Sequence, residues 1–205
     1  MHGEILSNKQ KEILSFIKKY KKRYYLVGGT AIAFHIGHRS SIDFDLFTEN
    51  KINFISIKKD VSLAGFSYHL INALSNQIHF LLNDVKLTFF EFPFEIESNV
   101  DYEAKFKMPD LITLAAMKAF ALGGRGKWKD YVDLYFIIKN YYSIQEISDK
   151  AKNIFKDVFN PLLFRKQLCF FSDIDYSEQV DFMPGFETDE QTIKVFLTDA
   201  ALTGF

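Results

Sequence analysis

Residues 24–47 read YYLVGGTAIAFHIGHRSSIDFDLF. The stretch opens with a short apolar run at 24–27, turns on Gly28-Gly29, and continues over 30–36 with small and apolar residues at helical spacing. A polar turn at 37–41 precedes Ile42-Asp43-Phe44-Asp45-Leu46-Phe47, where apolar and acidic residues alternate strictly. Such alternation marks a strand, and residues two apart on a strand share a face. Asp43 and Asp45 are therefore expected to point the same way, with Ile42, Phe44 and Leu46 turned to the core.

Two carboxylates side by side repel unless they are solvated or a cation sits between them. Hard divalent cations take oxygen ligands, and Mg²⁺ is usually held by one or two carboxylates together with substrate phosphates. Paired metals bridged by such carboxylates serve in-line phosphoryl displacement. The Gly28-Gly29 turn supplies a matching half. Glycine lets the backbone approach a phosphate, and the N-terminus of the following helix aims N–H groups and a positive dipole end at it. Thr30 adds a hydroxyl. A lone Gly-Gly is usually a turn, and an isolated Asp-x-Asp is often a solvated edge. The ordered series of strand, Gly-Gly, helix and Asp-x-Asp strand favours the functional reading of both.

These residues carry a resemblance. Gly28-Gly29-Thr30 followed by Asp43-x-Asp45 resembles the signature of the nucleotidyltransferase superfamily. More narrowly, GGTAIAFHIGHRSSIDFDLF looks like the AbiEii/AbiGii branch, the nucleotidyltransferase-like toxins of bacterial toxin–antitoxin and abortive-infection loci. A second block, MKAFALGGRGKWKDYVDLYFI at 117–137, is similar to that branch's later motif, a helical Lys followed by Arg and then by Lys-Asp-x-x-Asp. The tail RKQLCFFSDIDYSEQVDFMP is similar to the ending of shorter members.

The resemblance implies a Mg²⁺- or Mn²⁺-dependent enzyme that moves a nucleoside monophosphate from an NTP to an acceptor hydroxyl, on the 3′ end of a tRNA or on a protein. It implies a toxin with a cognate antitoxin. Asp43 and Asp45 are the implied metal ligands, and Gly28, Gly29 and Thr30 the phosphate cradle. Lys118 and Lys129 would balance charge as pyrophosphate leaves, and Asp130 would orient Lys or Arg side chains around the nucleotide. Asp133, three residues from Asp130 on the same helix face, does the same or closes a structural ion pair. Arg125 and Lys127, in a glycine-containing loop, meet triphosphate or acceptor RNA, or keep the loop solvated. Lys118 lies among apolar neighbours, so it either meets an anion or snorkels to the surface. Nucleotidyltransferases commonly place a third carboxylate on a strand beside the Asp-x-Asp. Here that position aligns with Thr88, and Glu91, three residues on, should face the other way. The alternative is a nucleotide- or protein-binding module with the same fold and little turnover.

Composition sets the remaining bounds. In 205 residues, 48% are hydrophobic and 17% aromatic, enough for a real core and far from a disordered composition. The net charge of −1 excludes a globally basic nucleic-acid binder, while KKYKKR at 18–23 and the basic 125–129 segment are local patches that steer a polyanion or are solvated faces. The single Cys169 excludes a disulfide framework and a Cys-type zinc site. No run approaches the ~18 apolar residues of a membrane span, and a cytoplasmic location is expected.

Periodicity gives an α+β fold: a small mixed sheet with flanking helices over 1–105, then a helical region packed on it over 106–205. Helices are expected at 8–20, 52–63, 109–122, 127–140, 143–159 and 161–171. Strands are expected at 66–71, 77–82 and 85–92, with Asn83-Asp84 as a hairpin turn. The 93–101 stretch reads as irregular.

Overall fold

A computed structural model describes residues 1–124 and 126–203. The chain divides into two compact units, Met1–Asp110 and Leu111–Phe205.

The first unit is built on a five-stranded sheet in the order β1-β2-β5-β4-β3. Its strands are β1 (Tyr25–Val27), β2 (Phe44–Thr48), β3 (Tyr68–Leu74), β4 (Gln77–Leu82) and β5 (Val85–Glu91). The β2–β5 pair is parallel and the other pairs are antiparallel, so the sheet is mixed as expected. Asn83 and Asp84 both take positive φ, 49° and 62°, which is the primed turn that the twist of a two-residue hairpin requires.

One sheet face is dry: Phe44, Leu46, Ile78, Phe80, Leu82, Leu87 and Phe89 are buried. Helix α1 (Asn8–Lys18) begins on a capping box, with Ser7 and Gln10 satisfying each other's backbone N–H groups. Beyond its end, Tyr20 and Tyr24 pack edge-on against Phe89. Helices α2 (Gly28–Ile36) and α3 (Phe54–Ser62) follow β1 and β2.

Three expectations change. Helix α2 begins at Gly28 itself, so the glycines are its first turn and no separate loop precedes it. Strand β2 begins at Phe44, and Ile42 is 61% exposed. Alternation reaches only as far as the ladder that enforces it, and Ile42 lies before that ladder. At the end of the 93–101 stretch read as irregular and just beyond it, β6 (Val100–Tyr102) and β7 (Phe106–Met108) form a hairpin. Its turn uses Glu103 and Ala104 at positive φ in place of the usual Gly or Asn, which hid it.

In the second unit the elements are helices: α4 (Leu111–Leu122), α5 (Trp128–Asn140), α6 (Ile144–Phe155), α7 (Pro161–Leu168) and α8 (Glu190–Leu202). Helix α4 carries Leu111, Leu114, Ala115, Ala116, Ala119 and Leu122 buried, and packs on α5, α6 and α7. Ser143 opens α6 with a second capping box through Glu146, and Asn160 caps α7 ahead of Pro161. Helix α8 lies beyond the helices expected from periodicity. It is capped by Asp189 and buries Ile193, Leu197 and Ala201.

Candidate active site

In the first unit the Asp-x-Asp pair and the glycines meet. Val27, the residue before Gly28, is the antiparallel partner of Asp45. Gly28 sits at φ 73°, and a Cβ built on it would lie 2.6 Å from Asp45 Oδ2. Only glycine holds that conformation without strain and leaves that room. Gly29 has a different neighbour, since its Cβ would run into the guanidinium of Arg39. Arg39 is 2% exposed, and its Nη1 donates to the Ser40 carbonyl at 3.0 Å. The first turn of α2 has no side-chain cap. Its N–H groups, the positive end of its dipole and the Arg39 charge together favour an anion there.

Asp43 stands just before β2, and its main chain is fixed from α2. The Thr30 hydroxyl donates to the Asp43 carbonyl and lies 2.8 Å from Ser41 Oγ. From α1, Gln10 Nε2 donates to the Ser41 carbonyl at 2.6 Å. Thr30 is buried, and its hydroxyl organises the aspartate loop. Asp43 and Asp45 are both half-buried.

Asp45 is also the parallel partner of Thr88, and Thr88 pairs with His79. Residues directly opposite on paired strands share a face, so Asp45, Thr88 and His79 form one row on the face away from the dry core. His79 Nδ1 lies 3.1 Å from Thr88 Oγ1. Burial holds the His79 pKa below its ordinary value, helped by the Lys86 charge and opposed by Asp45. Thr88 thus occupies the place beside Asp45. Glu91 pairs with Thr48 and belongs to the other parity.

Asp43 and Asp45 offer the hard oxygen donors that Mg²⁺ prefers. Among the described residues, no group of three or more His, Cys, Asp and Glu side chains could hold a metal ion. A divalent ion at the pair would therefore complete its shell with water or phosphate oxygens, which is the usual habit of Mg²⁺. The residues fit the ion.

In the second unit, Lys118 of α4 is 7% exposed and neither snorkels nor stands alone. Its Nζ donates to Asp130 Oδ1 at 2.7 Å and lies 2.9 Å from Asp133 Oδ2, both on α5. Asp130 and Asp133 thus share Lys118 as a partner. Lys129 sits on the same helix but has a partner that no motif announced: Glu178. One Glu178 oxygen lies 2.5 Å from Lys129 Nζ, and the other accepts from Lys127. Burial pushes the Glu178 carboxyl up, but the two lysines outweigh it and hold the pKa at about 2. Main-chain bonds between Asp175 and both Gly126 and Trp128 lay this segment along the start of α5. Arg125 lies outside the described residues.

Sequence reasoning missed Gln10, His79 and Glu178. Each acts through a contact far along the chain, and only His79 left a trace, as a polar residue on an alternating strand.

The family sequence model described as "Nucleotidyl transferase AbiEii toxin, Type IV TA system" matches residues 85–200. An uncharacterised protein of Aquifex aeolicus (strain VF5) is 30% identical over 181 residues, covering 83% of this chain and 84% of that one. A crystal structure of a candidate nucleotidyltransferase from H. pylori superposes with a TM-score of 0.58 at 18% identity, covering 96% of this chain and 94% of that one. The nucleotidyltransferase toxin MenT4 of Mycobacterium tuberculosis H37Rv superposes with a TM-score of 0.63 at 10% identity, covering 94% and 80%. At these identities the two structures establish the fold.

Proposed function

Because this chain belongs to the AbiEii nucleotidyltransferase toxin family, we propose that it transfers a nucleoside monophosphate from an NTP to an acceptor hydroxyl on a tRNA 3′ end or a protein. The observation that supports the reading is the juxtaposition of Asp45 with Gly28 at the start of α2, which would let a cation at the carboxylate stand beside an anion at the helix N-terminus. Mg²⁺, or Mn²⁺ in its place, would neutralise the triphosphate and favour ionisation of the incoming hydroxyl. Asp43 and Asp45 would hold it. Backbone N–H groups of Gly29 and Thr30 would hold the β- and γ-phosphates, with the Arg39 charge behind them.

Within the second unit, Asp130 and Asp133 would keep Lys118 charged, and Glu178 would do the same for Lys129. The protein would act as a toxin in the cytoplasm, where NTPs are plentiful, and a cognate antitoxin would restrain it. Among the described residues no helix is long and apolar enough to cross a membrane.

The test is transfer of label from each α-³²P NTP, with Mg²⁺ or Mn²⁺, into total RNA and protein. Label that appears with wild type and is lost in the Asp43→Ala/Asp45→Ala variant establishes the transferase and its acceptor class. Thr88 beside Asp45 supports a second reading, a nucleotide-binding module with little turnover. Binding of Mg²⁺-NTP without pyrophosphate release would select it.

A further inference from the structure

The row Asp45–Thr88–His79 crosses three adjacent strands, β2, β5 and β4, on the half-exposed face of the sheet. Neighbouring strands lie roughly 4.8 Å apart, so His79 stands about 10 Å across the sheet from Asp45. Thr88 is 6% exposed and cannot serve as a base itself. Its hydroxyl oxygen, 3.1 Å from His79 Nδ1, can fix the imidazole.

We infer that His79 is the proton acceptor for the attacking hydroxyl and that Thr88 is its positioning residue, the two together standing where a third carboxylate was expected. This deepens the transferase reading and rests on it. With Nδ1–H donating to Thr88 Oγ1, the unprotonated nitrogen is Nε2, because the hydrogen bond made by one ring nitrogen fixes the tautomer of the other. As the acceptor oxygen forms its bond to the α-phosphorus, its proton passes to Nε2. The bond from the α-phosphorus to the bridging oxygen breaks, and its electron pair leaves with pyrophosphate. The imidazolium then returns the proton to water.

The groups that face His79 suit the role. Lys86 of β5 pairs with Leu81, two residues along on the same face, and disfavours a charged ring; Asp45 of β2 favours one. From β3, Asn72 pairs with His79 and His69 with Leu81, and both are exposed. Burial and the Lys86 charge thus disfavour the charged ring, with Asp45 opposing them.

Two experiments test the assignment. The first is long-range ¹H–¹⁵N NMR of the metal-free protein, which reads the tautomer without any reaction. A protonated Nδ1 in wild type, lost in Thr88→Val, is expected; a protonated Nε2 in wild type overturns the inference. The second is the pH dependence of label transfer. Wild type should lose rate on the acid side with an apparent pKa below the ordinary 6.5. His79→Gln should lower kcat roughly 100-fold or more, with KM for NTP little changed and the acid limb gone. His79→Gln/Thr88→Asp, which returns a carboxylate to the row, should recover part of the rate. If wild type transfers label and His79→Gln matches its rate and profile, the inference fails while the transferase stands. If wild type transfers nothing, both fail.

Discussion

Asp45 Oδ2 lies 2.6 Å from the point that a Cβ of Gly28 would occupy. The glycine is therefore required twice over, by its φ of 73° and by the carboxylate it leaves room for. Gly28→Ala should lose about 1–2 kcal/mol from the left-handed backbone alone. It should also displace Asp45, so that Mn²⁺ affinity, followed by electron paramagnetic resonance, falls together with the melting temperature. Normal Mn²⁺ affinity in a destabilised Gly28→Ala protein would separate the glycine from the metal site.

Thr30 is the second place where structure and chemistry diverge from a simple motif. Its hydroxyl is spent on the Asp43 carbonyl and on Ser41 Oγ. Thr30→Val should therefore weaken metal binding by loosening Asp43, at a stability loss of roughly 1–3 kcal/mol for the buried groups left unbonded. Thr30→Ser should restore both. Equal Mn²⁺ titrations for Thr30→Val and wild type would show that Gln10 alone suffices to hold the aspartate loop.

Lys118 is buried between Asp130 and Asp133, and removing it takes a bonded cation away from two like charges. Lys118→Met should destabilise the second unit by roughly 3–5 kcal/mol. In a chain of this size that is a fall in melting temperature on the order of 10 °C. Melting curves of wild type, Lys118→Met and Lys118→Arg at pH 7 read the difference, and a Lys118→Met protein as stable as wild type would deny the pair its structural role.

How much of this the sequence discloses depends on the range of each interaction. The β4–β5 hairpin, the start of α1 and the Asp-x-Asp strand are written in local patterns: turn residues at Asn83-Asp84, a cap at Ser7, alternation over Phe44 to Leu46. Helix α8 and the β6–β7 hairpin escaped because nothing local marks them strongly. The cap of α8 is an Asp in an acidic stretch, and the hairpin turns on Glu103-Ala104. Within the site, Gly28, Asp43 and Asp45 were legible because they are close in sequence. The Lys118–Asp130 pair was half legible, as a lysine needing an anion and an aspartate needing a cation. His79 and Glu178 were not, since strand register and the path of the 173–178 segment are set by packing far from either residue.

Glu178 gives the last test. Its carboxylate bonds Lys127 and Lys129 on either side of Trp128, the chain's single tryptophan, which stacks on Tyr176 with centroids 5.6 Å apart. Its folded pKa of about 2 lies below the ordinary 4.5, with burial opposing the shift and the two lysines overcoming it. A group depressed in this way contributes stability that is fully present above pH 4.5 and is lost as pH falls toward 2. Trp128 fluorescence should therefore report release of the 173–178 segment across that window. In Glu178→Gln the segment should already be loosened at pH 7, with most of the acid-side change removed. Hydrogen exchange at Asp175 and Trp128, whose amides bond Gly126 and Asp175, should rise in the same variant. Should Glu178→Gln keep both the protection and the full acid transition, the aromatic stack holds the segment and the ion pair does not.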